Sequence, residues 1–325
     1  MFSTSTQKKE WTFSSQQDLL DLRACSRLRK AANEKFRAKY ATVVDADQED
    51  IFLTPEEEAL LRKIITETGI RFSDDFRPAM WPSTRWTAFA YFKRFFLNHS
   101  TMEYSPKSVM MSCFYLAAKV DEFNISIDEF VKNLKSGTAK TNSETILSFE
   151  PQIMLKLRYQ LTIHSPFRPF EGHLIEMKTL SLLGFDLEQV RPHANDFFKK
   201  ALFGDAMLLY PPSQIALAAL KYALQVLDKA DDLLKDQFLN KMLGIDTWKP
   251  QSDDVLLCEK LIARLDEIIQ CVLDGCKPIA PETNEALQNH MKRWVNTFPE
   301  LEQKLSALNS NPQLENSNSG FSDDD

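Results

Sequence analysis

Residues 84–124 read TRWTAFAYFKRFFLNHSTMEYSPKSVMMSCFYLAAKVDEFN, and this stretch decides the fold. It predicts two helices with a short break. The first runs from about Ser83 to Leu97 and carries Trp86, Ala88, Phe89, Tyr91, Phe92, Phe95 and Phe96. Those residues cover nearly the whole helical circumference, so the helix must lie inside a core. The break is Asn98-His99-Ser100-Thr101. Ser105-Pro106 then restarts the chain, with proline where a first-turn residue has no use for its N–H. The second helix carries Val109, Cys113, Leu116, Ala117 and Val120 at helical spacing and ends near Lys119–Phe123.

The pattern returns at one constant offset. Phe92-Lys93-Arg94 corresponds to Phe198-Lys199-Lys200, Tyr104 to Tyr210, Pro106 to Pro212, Val109 to Ile215 and Met111 to Leu217. An ungapped internal match of this kind signals a duplicated structural unit. The expected fold is all-α, with two tandem five-helix repeats flanked by an N-terminal and a C-terminal helix.

The 325 residues suffice for two ordinary domains with extensions. Only 8 Gly stand against 23 Phe, which disfavours Gly-rich turns and favours helices. A net charge of −7 argues against gripping a nucleic-acid backbone. No apolar run reaches about 18 residues, so no membrane-spanning helix is expected. The polar start MFSTSTQKKEWTFSS has no signal-peptide core. Five Cys (25, 113, 258, 271 and 276), an odd number lying largely on helices, suit a reducing, intracellular compartment.

Taken in order, residues 1–10 are expected to be flexible, and a helix follows from about Ser14 to Tyr40. Its stripe of Leu22, Arg29, Ala32, Phe36 and Tyr40 should dock on the body of this chain. Asp45–Asp50 is an acidic linker. Thr54-Pro55-Glu56-Glu57 has the cap, proline and acids of a helix start, and that helix runs to about Asp75. Ser126 caps a short helix from Ile127 to Leu134. Lys135–Asn142 is a loop, and Ser143 opens a helix to Tyr159, within which Pro151 predicts a kink. The second unit supplies helices near 169–183, 188–203, 212–228, 230–242 and 252–274. A last helix, Glu282 to Leu308, carries Leu287, Met291, Trp294, Val295, Leu301 and Leu305. The domains implied are 1–50, 51–163, 164–277, 278–308 and an acidic, disordered tail, 309–325.

Nothing in this sequence reads as an active site. The five His (99, 164, 173, 193 and 290) form no metal or catalytic motif. Cys271 and Cys276 lack a second ligand pair, and neither G-x-S-x-G nor a Gly-rich phosphate loop is present. No cofactor or metal is implied. The charged residues of interest are Lys119, which follows small Ala117-Ala118, and Glu150 in the fifth helix. On adjacent faces they would either grip a partner's backbone, Lys at helix carbonyls and Glu at N–H groups, or form an ordinary intrachain ion pair. At the same offset the second unit has Gln225 and Leu256, so only the first unit carries the pair.

A-Y-F-K-R-F followed by L-A-A-K-V-D-E-F, in two five-helix repeats, resembles the cyclin box. Q-K-K-E-W-T-F-S (Gln7–Ser14), M-E-Y-S-P (Met102–Pro106), F-R-P-F-E-G (Phe167–Gly172) and L-L-Y-P-P-S-Q-I-A-L-A (Leu208–Ala218) extend the resemblance to the transcriptional cyclins, over residue 7 to about 305. The resemblance implies a non-catalytic subunit of a CDK-activating kinase, whose first box binds the cyclin-dependent kinase and which joins an assembly subunit and the TFIIH core in the nucleus. It implies kinase contacts at Lys119 and Glu150, with Leu116, Val120, Phe123 and Met154 as apolar contacts around them, and terminal helices packed together. A Mediator-associated cyclin and a TFIIB-like DNA-binding factor are the competing readings, the latter disfavoured by charge and by the missing zinc ribbon. Ser322, followed by three Asp, is a candidate phosphosite of the tail.

Overall fold

The computed structural model describes residues 2–25, 27–44, 52–180, 186–229, 234, 238–242, 244 and 253–309, and among these there is no β-strand. The chain begins with a short 3-10 turn and α1 (Thr6–Glu10), then α2 (Gln16–Cys25) and α3 (Arg27–Tyr40). The first repeat comprises α4 (Pro55–Asp75), α5 (Pro82–Phe95), α6 (Pro106–Val120), α7 (Ile127–Val131) and α8 (Ala139–Lys156). The second comprises α9 (Phe167–Leu180), α10 (Val190–Ala201), the short α11 (Ala206–Leu209), α12 (Pro212–Val226), α13 (Asn240–Met242) and α14 (Asp253–Gly275). The last helix, α15, spans Pro281–Asn309.

Helix α5 is buried as its composition demands: Trp86, Phe89, Tyr91, Phe92 and Phe95 are all at most 2% exposed. Ser105 caps α6 by accepting from the Ser108 N–H, and Pro106 opens the helix. Glu58, fully buried on α4, ties down the break between α5 and α6. It accepts from Ser100 Oγ (3.0 Å), the Thr101 N–H (2.8 Å) and Thr101 Oγ1 (3.1 Å). Upstream, Thr54 and Glu57 form a reciprocal capping box on α4, and Ser126 and Glu129 do the same on α7.

The duplication is visible in backbone detail. Helices α6 and α12 start and end at corresponding residues, and both turn off through a left-handed residue, Glu122 (φ 59°) and Asp228 (φ 51°). In each the next N–H returns to the last turn: Phe123 to Ala118 O at 2.8 Å, Lys229 to Leu224 O at 2.9 Å. The fifth helices do not keep this register, because α14 extends well past the residue corresponding to the end of α8. The correspondence of Glu150 with Leu256 therefore fails in three dimensions.

Three further expectations need correction. Residues 2–10 are helical and docked: Gln7 accepts from the His164 N–H (2.7 Å) and donates to its C=O (3.4 Å), while Trp11 is 3% exposed beneath Arg94. The amphipathic N-terminal segment is two helices, α2 and α3, and Leu19 and Leu22 of α2 join the main core. Helix α8 starts at Ala139, because Thr138 caps it by accepting from the Thr141 N–H; Ser143 lies inside it. Helix α3 meets α15, where Tyr40, Phe52 and Leu301 form a second small core and Phe36 stacks on Phe298. The acidic linker 45–50, Trp294 and Val295 as side chains, and the tail from 310 lie outside the described residues.

His99, in the break after α5, packs against Phe95 and Tyr104. Burial, helped by the charge on Lys156, pushes its imidazole down to about 4. A depressed histidine stabilises the fold fully above the unfolded value near 6.5, and that contribution is lost as pH falls toward 4. Urea unfolding should therefore show His99→Gln with a shallower acid limb than wild type, the difference reaching about 2 kcal/mol between pH 7 and 5. Parallel limbs would mean that His99 does not titrate with folding.

Candidate functional site

The corner that ends α6 is locked from three sides. Asp121 caps the helix and lays its carboxylate before the first turns of α5, accepting from Thr87 Oγ1 at 3.3 Å. Burial raises this carboxyl, against the lowering pull of the Thr84, Thr87 and Ser83 hydroxyls. Phe123, 7% exposed, tucks back between Phe76 and the edge of Trp81. Lys119, one turn earlier, is thereby held at the rim of the first repeat.

Helix α8 packs along α6 with Ile146, Glu150 and Ile153 on the buried face. Lys119 Nζ and Glu150 Oε1 lie 2.6 Å apart, with the Lys119 side chain 50% exposed and that of Glu150 10%. Lys119 also stands 5.3 Å from the Tyr115 ring centroid. The two charges thus form an intrachain pair, and Lys119 remains reachable from outside. The helix continues through Pro151. Proline removes the N–H that Leu147 O would accept. Pro151 and Leu147 both lie on the exposed face, where water can satisfy that carbonyl.

The expected apolar neighbours divide. Val120 is exposed and Met154 half-buried, whereas Leu116 (2%) and Phe123 (7%) belong to the core and support the surface from beneath. Trp81, Leu147 and Leu155 are large exposed apolar residues on the elements that carry the site, and the sequence reading did not single them out. For Leu147 and Leu155 the signal was available, since both fall off the buried stripe of α8. The second repeat exposes apolar residues too, Val226 at the position of Val120 and Leu257 on α14. Apolar exposure therefore does not separate the repeats, and neither does an ion pair as such, since Lys221 and Asp266 join α12 and α14 at 2.9 Å with the lysine buried. An accessible lysine in the last turn does, because the residue corresponding to Lys119 is Gln225. Ser322 lies outside the described residues, and among those described no group of His, Cys, Asp or Glu is placed to hold a metal.

Two family models match the chain: the cyclin N-terminal domain over residues 45–162 and the cyclin C-terminal domain over 165–274. Cyclin-H of Xenopus laevis is 40% identical over 223 residues, covering 68% of this chain and 67% of that one. This chain belongs to the cyclin-H family. The fold agrees with chains in two solved assemblies, both at 22% identity. One is the CAK complex of Chaetomium thermophilum, with TM-score 0.70 and 98% of each chain covered. The other is yeast TFIIK (Kin28/Ccl1/Tfb3), with TM-score 0.61, covering 83% of this chain and 99% of that one.

With its lysine half-exposed to solvent, the Lys119–Glu150 pair is expected to contribute little to folding. Chemical denaturation of Lys119→Met, Glu150→Gln and the double variant should give a coupling energy of about 1 kcal/mol or less. A coupling of several kcal/mol would make the pair a structural element.

Proposed function

We propose that this chain is the regulatory cyclin of a CDK-activating kinase. It binds a cyclin-dependent kinase and holds it active while contributing no catalytic group. Membership of the cyclin-H family supports the class of activity. The observation that carries the surface assignment is the Lys119–Glu150 pair, reachable on an apolar rim in the first repeat and replaced by Gln225 at the matching helix position of the second. Residues 51–163 form the kinase-binding repeat and 164–277 the second repeat, flanked by the extension 1–50, the helix 278–308 and the tail 309–325.

The physical mechanism is a shift of population. A protein kinase needs the Glu of its αC helix paired with its β3 Lys before ATP phosphates are held for transfer. A cyclin surface that fits αC only in that inward position favours it by differential affinity. About 1.4 kcal/mol shifts the balance tenfold, and about 5.5 kcal/mol moves it from 1:99 to 99:1. In this reading the partly buried carboxylate of Glu150 accepts from backbone N–H groups of the kinase, and Lys119 swings from Glu150 to donate to a carbonyl. Val120 and Met154, with Leu147 and Leu155 beside them, supply apolar area, and Leu116 and Phe123 keep that surface rigid.

The solved assemblies supply the context: one is named a CAK complex, and the other joins Kin28, Ccl1 and Tfb3 as TFIIK. On that basis the chain works beside a kinase and an assembly subunit, acting on CDK activation loops. Attached to the TFIIH core in the nucleus, it directs the kinase to the RNA polymerase II C-terminal repeats. It touches neither nucleic acid nor membrane directly.

Charge removal and reversal at the rim test this reading. In a reconstituted complex Lys119→Met should lower kinase activation at least about tenfold, the effect of some 1.4 kcal/mol, with the cyclin alone still folded at the assay temperature as judged by its melt. Lys119→Glu should lower activation further. Full activation by the variants would move the kinase interface elsewhere.

A further inference from the structure

Lys93, on α5, is a buried cation with no carboxylate in contact among the described residues. It is 8% exposed, and its one hydrogen bond among the described residues is to Phe203 O, at 3.3 Å. The duplicated position makes the contrast. Lys199, its counterpart on α10, is half-exposed and paired with Asp74 at 2.6 Å. The same lysine is half-exposed and paired with a carboxylate in one repeat, and enclosed against a backbone carbonyl in the other.

Lys93 faces a cleft of about 220 Å³ where the N-terminal segment, the first repeat and the second repeat meet. Arg23 comes from α2, Arg62 and Lys63 from α4, and Asp205 from the turn before α11. Asp205 is the one carboxylate of the lining among the described residues, and Arg23 engages both of its oxygens, at 2.7 and 2.8 Å. Lys63 donates to Lys277 O at 2.6 Å, and nearby Asp274 is taken by Lys277. Among the described residues four cations and one committed carboxylate line this cleft, on a chain whose net charge is −7. Phe92, Phe96 and Phe203 give the lining its apolar part. The wall is rigid, because Gly204 and Gly275 meet backbone to backbone: a Cβ on Gly275 would lie 2.7 Å from Gly204 Cα.

Burial pulls the Lys93 ammonium down to about 8; Asp205 opposes that pull, while Arg23 and Arg62 add to it. A bound anion would relieve the penalty, since charge-assisted hydrogen bonds are strongest where solvent is excluded. We propose that this cleft is a binding site for a phosphate group, taken by Lys93 from within and by Arg62 and Lys63 at the rim. A phosphate fits the chemistry better than a carboxylate, because it offers three oxygens to donors that converge from separate helices. Its source is either a phosphoserine or phosphothreonine of a protein, or a free phosphate ion.

The test is calorimetric titration of the full-length chain, at fixed ionic strength in chloride, with inorganic phosphate, with a phosphoserine peptide and with the same peptide unphosphorylated. Saturable binding of a phosphate source, absent for the unphosphorylated peptide, is expected. Lys93→Met should weaken it at least about tenfold and Arg62→Gln severalfold. Tighter binding of the phosphopeptide than of inorganic phosphate identifies a phosphoprotein; equal or weaker binding identifies the free ion. If Lys93→Met does not fold, as judged by its melt, Arg62→Gln decides. No saturable binding of either phosphate source, or binding by the folded variants equal to wild type, overturns the proposal.

Discussion

The structure depends on burying one helix from every side. Helix α5 has no polar face to give to water, so the rest of the first repeat is arranged around it. Trp86, Phe89 and Phe95 face three different neighbours: Phe167 at the start of the second repeat, Phe114 on α6, and the His99–Tyr104 break. A core wrapped this way fixes α6, because the chain must turn back at Asn98–Thr101 and restart at Pro106. Fixing α6 places Lys119 at its last turn, and the left-handed residue Glu122 returns Phe123 to the core. The outward surface is thus a consequence of an inward constraint.

The same constraint has a cost at the far end of α5. Continuing an all-round apolar helix into Lys93 and Arg94 carries two cations inside. Arg94 is accommodated locally, over the Trp11 ring and against Gln160 O at 3.2 Å, although burial lowers its guanidinium to about 10. Among the described residues Lys93 finds a carbonyl, Phe203 O, and no carboxylate. Burying a charge is costly unless it is paired and hydrogen-bonded. That imbalance sits where three segments of the chain meet, and the N-terminal segment closes it through Arg23 and Asp205.

Much of this was legible in the sequence, for reasons tied to particular residues. The all-round apolar run 86–96 and the ungapped repeat announced a buried helix and a duplicated unit. Thr54, Ser105 and Ser126 announced their helix starts, because each cap acts within four residues of itself. What escaped reading was non-local or masked by polarity. Gln7 docks by pairing with the backbone of His164, a contact across more than 150 residues that no pattern near Gln7 can reveal. The first turns of α8 are Ala139-Lys140-Thr141-Asn142, with no apolar stripe until Ile146, so no local pattern marks Thr138 as their cap. The repeat predicted equivalence of Glu150 with Leu256, but equivalence ends where α14 lengthens. Spacing put Leu116 on the same stripe as Val120, and only the packing of α8 shows that the first is inside and the second outside.

The central claim is that the first repeat, at the α6–α8 rim, is where the kinase is held. Hydrogen–deuterium exchange of the cyclin, free and in complex with its kinase, tests it most directly. The account predicts slowed exchange over residues 116–123 and 147–155, with residues 221–229 of the second repeat unchanged. Protection confined to the second repeat, with the first exchanging as in the free chain, would contradict it.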